Sequence, residues 1–493
     1  MASSVEQQTA SPAASEAQIP RYQAIARRFA QAIREGTLAP GEKLPSVRRL
    51  RADEGTSAST VLQALAQLES SGLIEARPRS GYFVRARTSL PVPRPSAPGV
   101  EAGTPLDGVS ALVADLYHSA SDPSLVHLGA ATPAPSLLPS AALARALAAA
   151  TRRSGSGGVE LAYPPGLRSL RRLVAQRLVA TGCALGEDDL LVTAGATEAI
   201  QLALLAVTNR GDTVAVESPC YYGTLLALEA LGLRVLEVPC HPETGMDVDE
   251  LSRRLDLHRV AAVLAVPVFS NPLGSSMPDE AKERLVSLLS ARRIPLIEDD
   301  VYGDLAFAPS RPRPAKAFDR DGTVLYCGSF SKTLAPGFRI GFVAAGRFKE
   351  RVEVLKFATS IATATPAQQA LVQFLADGGY DRHLRTLRAR LEQNVARVGE
   401  AVAGSFPAGT RVSRPRGGCF LWVELPPSVD ALKLHRRAHD AGVAIAPGHI
   451  FSAAHVHASC IRFSCGEPWS ERVDVAVRLV GRLAGQLVGR KGR

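Results

Sequence analysis

At 493 residues, with 46 % hydrophobic and 21 % charged residues, the chain has globular composition and is too long for one ordinary core. No apolar run approaches the roughly twenty residues a membrane span needs, and the polar opening MASSVEQQTASPAASEAQ lacks the apolar centre of a secretory signal. Half of the net charge of +10 sits in about a seventh of the chain: residues 18–86 carry eleven Lys and Arg against six Asp and Glu, a surplus that suits a polyanion partner, although solvated charge alone also produces it.

Residues 1–17 read as a disordered tail. Tyr22, Ile25, Ala26, Phe29, Ala30 and Ile33 recur at helical spacing, and Gly36 can stop that helix. After the turn residues of LAPGEKLPS, Ser46 can cap a short helix through Leu50. Gly55 breaks it, and Ser57 can cap a third helix bearing Val61, Ala64, Leu65 and Leu68, which Gly72 ends. LIEARPRSGYFV reads as two short strands around a Pro-Arg-Ser-Gly turn. Three small helices and a hairpin predict a winged helix-turn-helix over residues 18–86. Residues 87–108 hold five prolines and almost no apolar periodicity, which predicts a semi-extended linker.

From residue 109 to 493 the pattern changes. The apolar runs LLVTA, TVAVE, RVLEVP, AAVLAVP, IPLIEDD and TVLYCGS alternate with helical segments, which predicts an α/β domain on a mostly parallel sheet. From about Ala367, long helices are followed by GGCFLWVEL, VAIAP, CIRFSC and a closing helix, a smaller α+β subdomain. The seven cysteines are scattered, odd in number and never spaced Cys-x-x-Cys. That argues for reduced thiols in a cytosolic compartment, without a disulfide framework or a metal site.

Ligands of α/β sheets bind at strand ends, and unusual polar residues stand there. In TAGATEAI, Gly195, Ala196 and Thr197 lead into a helix whose free N–H groups suit a phosphate; an ordinary strand–helix turn looks the same. In VFSNPLGSS, Asn271 can donate to a ligand oxygen or cap the turn. LIEDDVYGDL ends an apolar strand with Asp299, Asp300 and Tyr302, which can hold a protonated ring nitrogen and a phenolate or imine, or simply face water. SFSKTLAPGFRIGF sets Lys332 among Ser329, Ser331 and Arg339. A lysine with a burial-lowered pKa is the usual route to a Schiff base, yet a lone Ser-x-Ser-Lys also occurs as a solvated turn.

Together and in this order, these residues resemble the fold-type-I family that binds pyridoxal 5′-phosphate (PLP), specifically class I aminotransferases, over about Leu125–Leu487. The motif Ser-x-Ser-Lys-x-x-x-Pro-Gly-x-Arg-x-Gly is complete. The resemblance implies Lys332 as the Schiff-base lysine, Asp299 on the pyridinium nitrogen, and Asn271 with Tyr302 on the ring O3′. It implies Tyr221 stacked on the ring face, and Ala196, Thr197, Ser329, Ser331 and Arg339 as the phosphate cup. Tyr163, in YPPGLRSLR, is similar to the tyrosine that reaches the partner subunit's phosphate, which implies a homodimer. Arg462, in CIRFSC, matches the arginine that grips a substrate α-carboxylate. In LGAATPAPSLLP, Ala131 stands where the family has glycine, and its methyl is expected to narrow the substrate site.

Residues 18–86 resemble the GntR family of bacterial regulators through GTLAPGEKLPSVRRL, TSASTVLQALAQLESSGLI and RPRSGYFV. A GntR winged helix, a proline-rich linker and an aminotransferase-like domain together resemble the MocR subfamily. That resemblance implies a DNA contact by Arg48 and a recognition helix presenting Ser57, Ser59, Thr60, Gln63 and Gln67 to operator DNA. The arginine the family places after the recognition-helix serine is replaced by Ala58, and Arg77 and Arg79 of the wing are candidates to supply its phosphate contact. The expected function is a PLP-dependent, cytoplasmic transcriptional regulator sensing PLP or an amino compound. A working aminotransferase with a DNA-binding appendage and a PLP protein that has lost DNA binding are the other readings.

Overall fold

The computed structural model of the protein describes residues 20–77, 80–85, 90–95, 113–114, 122–153 and 158–488. The expected tail, Arg79 and most of the expected linker lie outside these residues. The chain divides into two compact units, residues 1–87 and 88–493, which are described separately.

In the first unit, α1 (Arg21–Arg34), α2 (Val47–Asp53) and α3 (Ala58–Ser70) precede the hairpin β1 (Ile74–Arg77) and β2 (Gly81–Val84). The Ser46 side chain accepts from the Arg49 N–H and caps α2, while Ser57 accepts from the Thr60 N–H and caps α3. Helix α2 runs three residues past the expected Leu50, and Gly55, at φ +54°, follows it. Ile25, Ala26, Leu50, Val61, Leu65, Leu68 and Val84 form one core. Lys43 bridges to Phe83, and the Leu44 N–H donates to the Tyr82 carbonyl at 2.8 Å, so the segment before α2 lies beside the hairpin as a further extended stretch.

The strands of the second unit are β3 (Val126–His127), β4 (Leu190–Thr193), β5 (Thr213–Ser218), β6 (Arg234–His241), β7 (Gly245–Met246), β8 (Ala262–Ala265), β9 (Leu296–Asp299), β10 (Val324–Ser329), β11 (Gly341–Ala344), β12 (Arg411–Val412), β13 (Phe420–Glu424), β14 (Val443–Ala444), β15 (Ala446–Pro447) and β16 (Cys460–Ser464). Among the described residues, eight form one sheet in the order β4-β11-β10-β9-β8-β5-β6-β7. Strands β10, β9, β8, β5 and β6 are parallel. They are covered on both faces, which is why β8 and the middle of β5 are unbroken Val, Ala and Leu. Strand β11 runs antiparallel to both β10 and β4; it begins at Gly341, the last residue of the Lys332 motif, and GFVA was not expected as a strand.

The smaller sheet is β12-β13-β16-β15, packed on the helices Gly379–Ser405 and Glu471–Val488. VAIAP, expected as one strand, divides: β14 pairs with β3, and β15 pairs with β16. Part of the expected linker is docked within this unit. The carbonyls of Leu90, Pro91 and Val92 accept from Arg414, the Val412 N–H and Arg411, and Arg94 pairs with Glu424 at 3.4 Å. Proline lacks the N–H for a ladder but keeps its carbonyl, so a proline-rich segment still binds a strand edge that offers donors. All seven cysteines are buried free thiols, and no helix of the described residues is long and apolar enough to cross a membrane.

The cap geometry of α3 gives a direct test. Ser57→Ala is expected to destabilise this helix by about 1 kcal/mol, read in the full chain as faster amide exchange across Ala58–Ser70 with exchange in the large sheet unchanged.

Candidate functional site

The site lies where β4, β9 and β10 end and the helix Ala196–Val207 begins. Gly195 turns the chain at φ +86°, leaving the N–H groups of Ala196 and Thr197 without intrahelical acceptors. Arg339 sits over this turn in a left-handed conformation, φ +52°. Its Nη1 donates to Ser331 Oγ at 3.4 Å and its Nη2 to the Ala194 carbonyl at 3.3 Å. The Ser331 N–H in turn donates to Ser329 Oγ at 3.4 Å. The close approach depends on glycine: a Cβ at Gly341 would lie 2.5 Å from the Gly195 carbonyl carbon and 2.8 Å from the Ala196 nitrogen. A helix N-terminus, two hydroxyls and a guanidinium therefore converge, the donor set of an anion site.

Asp299 ends β9, 5 % exposed, and its Oδ1 has no hydrogen-bond partner. Burial, reinforced by the neighbouring Asp300 charge, pushes its pKa up to about 7, against the pull of Lys332. Asp300 serves otherwise: it accepts from Arg311 and, at 2.9 Å, from the Tyr326 hydroxyl. Arg311 also donates to Asp304 at 2.8 Å. From Asp304 the network passes through the Tyr380 hydroxyl to Thr333 Oγ1, at 2.9 and 2.8 Å, and His383 donates to the Thr333 carbonyl. The residue after Lys332 is thereby fixed from both its side chain and its backbone.

Lys332 is half-buried and donates from Nζ to Thr132 Oγ1 at 2.8 Å. Burial lowers its pKa, with the cations Arg462 and Arg339 acting in the same direction. Tyr302 accepts from Asn271 Nδ2 at 3.2 Å and donates to the Ala131 carbonyl at 3.5 Å. Burial holds its hydroxyl protonated, well above the usual tyrosine range. Asn271 Oδ1 accepts from Arg462 Nη1 at 2.8 Å. Arg462 is fully buried, with its guanidinium 5.6 Å from the Tyr222 ring and 5.0 Å from Phe451. Its Nη2 donates to the Gly129 carbonyl, and its Nε has no acceptor.

The two residues after Phe451 are held in turn by a buried carboxylate. Glu237 accepts from Ser218 Oγ at 2.7 Å, Ser452 Oγ at 3.1 Å and the Ala453 N–H at 2.6 Å. Tyr221 is half-buried, packs 4.7 Å from Tyr222, and folds over Gly223, where a Cβ would overlap its ring.

The structure thus brings Lys332, Asp299, Tyr302, Asn271 and Arg462 together, with Ala131 contributing its carbonyl; Ser329, Ser331, Arg339, Ala196 and Thr197 gather beside them. Tyr163 stands apart: it is 57 % exposed and lies 6.5 Å from the ring of Phe357, itself 57 % exposed. Sequence reasoning missed Thr132, Tyr222, Phe451 and Glu237. Thr132 is 200 residues from Lys332 in sequence, and no local pattern links them.

In the first unit, Arg48, Ser59 and Gln63 are exposed. Ser57 Oγ lies 2.8 Å from both Ser59 Oγ and Thr60 Oγ1, so these hydroxyls are bonded to one another around the cap. Arg77 pairs with Glu75 at 2.8 Å and lies 4.4 Å over Phe83, which spends part of its donor capacity within the wing.

Known proteins match both units. The family described as aminotransferase class I and II matches residues 131–479, and that of bacterial regulatory proteins of the gntR family matches residues 21–84. The HTH-type transcriptional regulators YdcR and YjiR of Escherichia coli (strain K12) are each 39 % identical, covering 94 % of this chain and 98 % of their own length. The α-aminoadipate aminotransferase LysN of Thermus thermophilus, solved with N-(5′-phosphopyridoxyl)-L-leucine, superposes with TM-score 0.70 and 28 % identity over 76 % of this chain and 95 % of that one.

The sign of the Asp299 shift makes a prediction. A carboxyl with a raised folded pKa leaves the fold unpenalised below its unfolded value near 4 and costs increasing stability as pH rises from there to about 7. In cofactor-free protein, Asp299→Asn is expected to match wild type in denaturant unfolding near pH 4 and to exceed it increasingly as pH approaches about 7. A pH-independent difference would contradict the burial of a charge there.

Proposed function

The chain belongs to the aminotransferase class I and II family and carries a GntR-type helix-turn-helix in front of that domain, the MocR layout, and from this premise we propose a regulator whose grip on operator DNA responds to PLP and an amino compound. The observation that supports it most is a cluster of Lys332, Asn271, Tyr302 and Arg462 suited to an amine and an anion, on the same chain as a basic winged helix with Arg48 and Gln63 exposed. A helix-turn-helix has no task in amino-group transfer, which favours the regulator over a metabolic aminotransferase; the site residues themselves suit either.

The side chains fit PLP. Asp299 Oδ1, buried without a donor, suits a protonated ring nitrogen, whose charge would keep the carboxylate ionised. Asn271 and Tyr302 suit the ring oxygen, Tyr221 the ring face, and the Ala196–Thr197 turn with Ser329, Ser331 and Arg339 the phosphate. When bound, PLP supplies the electron sink that labilises bonds at an amine's α-carbon. The chain's own contribution would be to lower the proton affinity of Lys332 by burial, orient it from Thr333, and present Arg462 to the α-carboxylate through a guanidinium fixed by Asn271 and two rings. The occupant of the LysN structure, a phosphopyridoxyl group joined to an amino acid, supports one pocket for both.

A homodimer is part of the proposal. The exposed pair Tyr163 and Phe357, with exposed Val159, Leu161 and Val354 close by in sequence, offers an apolar face suited to a second copy, and two copies present two winged helices to two half-sites.

Borohydride reduction in the presence of PLP is expected to fix a pyridoxyl group on Lys332, mapped by mass spectrometry; fixation on another lysine would contradict the assignment. Arg48→Ala is expected to weaken operator binding with or without amine and to reduce the slope of log K against log salt by about 0.9, one phosphate contact. An unchanged slope would place the contact elsewhere.

A further inference from the structure

Three acceptors from four consecutive residues occupy the donors that a ligand of this site needs. Thr132 Oγ1 takes Lys332 Nζ at 2.8 Å, the Ala131 carbonyl takes the Tyr302 hydroxyl at 3.5 Å, and the Gly129 carbonyl takes Arg462 Nη2. The span is fixed at both ends. Leu128 is fully buried, donating to the Ala444 carbonyl at 2.9 Å and accepting from the Ser464 N–H at 2.7 Å. The Ala134 N–H donates to the Gly466 carbonyl at 2.9 Å, and Gly466 packs so closely on Thr132 that a Cβ would overlap its carbonyl. Between these anchors, residues 129–132 are held by side chains that serve the ligand.

Each donor can serve the span or a ligand. When the neutral lysine condenses with a carbonyl compound, C=N forms, the C–O bond breaks, and the oxygen leaves as water with both amine hydrogens. The nitrogen keeps none for Thr132 until it is reprotonated. A carboxylate taken side-on by Arg462 uses the fork of Nε and Nη2; Nε is free, but Nη2 already serves Gly129. A ring oxygen bound by Tyr302 competes with Ala131 in the same way.

We infer that Thr132 is a positioning residue of this site and that Gly129–Thr132 is a strap through which ligand capture is read out: Lys332, Tyr302 and Arg462 hold it in the ligand-free chain, and a ligand that takes these donors releases it. The inference rests on the reading that these side chains bind PLP and an α-carboxylate. It deepens that reading by naming the chain segment that responds when a ligand takes these donors.

The test is hydrogen exchange of peptides spanning residues 125–134 in the full chain. In cofactor-free protein, Thr132→Val, isosteric but without the acceptor, should raise exchange by about 2- to 10-fold, the equivalent of one hydrogen bond, and Thr132→Ser should restore it. Lys332→Ala should raise exchange similarly without any ligand. In wild type, PLP with an amino acid should raise exchange, and Thr132→Val should bind PLP more tightly by about the factor its strap is loosened. A threonine of merely structural importance would lower thermal stability without tightening PLP. Wild-type exchange in both cofactor-free variants overturns the strap, whatever PLP does. Loosened variants with a wild-type strap unmoved by bound PLP overturn its role as readout. Failure of PLP to attach to Lys332, with both variants loosened, removes the ligand reading and leaves the strap.

Discussion

Asp299 carries a carboxylate oxygen that is withdrawn from water and given no donor. A buried charge without a partner is among the most costly arrangements a fold can hold, and here it stands at the end of a central parallel strand. Its surroundings limit that cost without removing it. The neighbouring Asp300 is neutralised by Arg311 and Tyr326, so it contributes less repulsion than a bare carboxylate would, and a pKa of about 7 lets Asp299 carry a proton part of the time. On the proposed reading a protonated ring nitrogen would relieve the remaining cost, and the ligand would gain affinity from what the fold leaves unsatisfied.

The same economy governs Lys332. Burial and two nearby arginines favour the neutral amine, the form that reacts with a carbonyl. On the proposed reading Arg339 and Arg462 therefore act twice, each offering donors to an anion and each lowering the proton affinity of the lysine. Thr333 ties the lysine's backbone through Tyr380 and Asp304 to Arg311 and so to Asp300. The acid and the amine are thus referenced to one rigid network. Beyond it, Glu237 of β6 ties Ser452 and Ala453, next to the Phe451 that packs beside Arg462, to Ser218 at the end of β5.

Much of this was legible in the sequence because it is local. Ser46 and Ser57 mark helix starts by side-chain chemistry, Gly72 follows a helix end at positive φ, the parallel strands appear as largely apolar runs, and the lysine motif gathers Ser329, Ser331, Lys332 and Arg339 in one short stretch. What was not legible is what depends on tertiary pairing. GFVA was hidden as a strand because it is short and opens on the last glycine of the Lys332 motif, and only the antiparallel slot between β4 and β10 makes it one. VAIAP divides between two sheets at Ile445, a choice made by β3 and β16. The proline-rich stretch read as a linker gave no sign that Pro91 and Val92 would find donors on Val412 and Arg411. Thr132 could not be picked out because a threonine in ATP acquires meaning only when Lys332 arrives beside it.

A ligand alters DNA binding only to the extent that it binds the two DNA states differently, and such coupling is reciprocal. The direct measurement is a paired titration: operator affinity with and without saturating PLP and amino acid, and amino acid affinity with and without saturating operator, on the same full-length protein. A coupled regulator predicts that the two factors are equal and differ from one. Equal factors of one, for every amino compound that engages the PLP-bound site, would contradict it and leave two independent functions on a single chain.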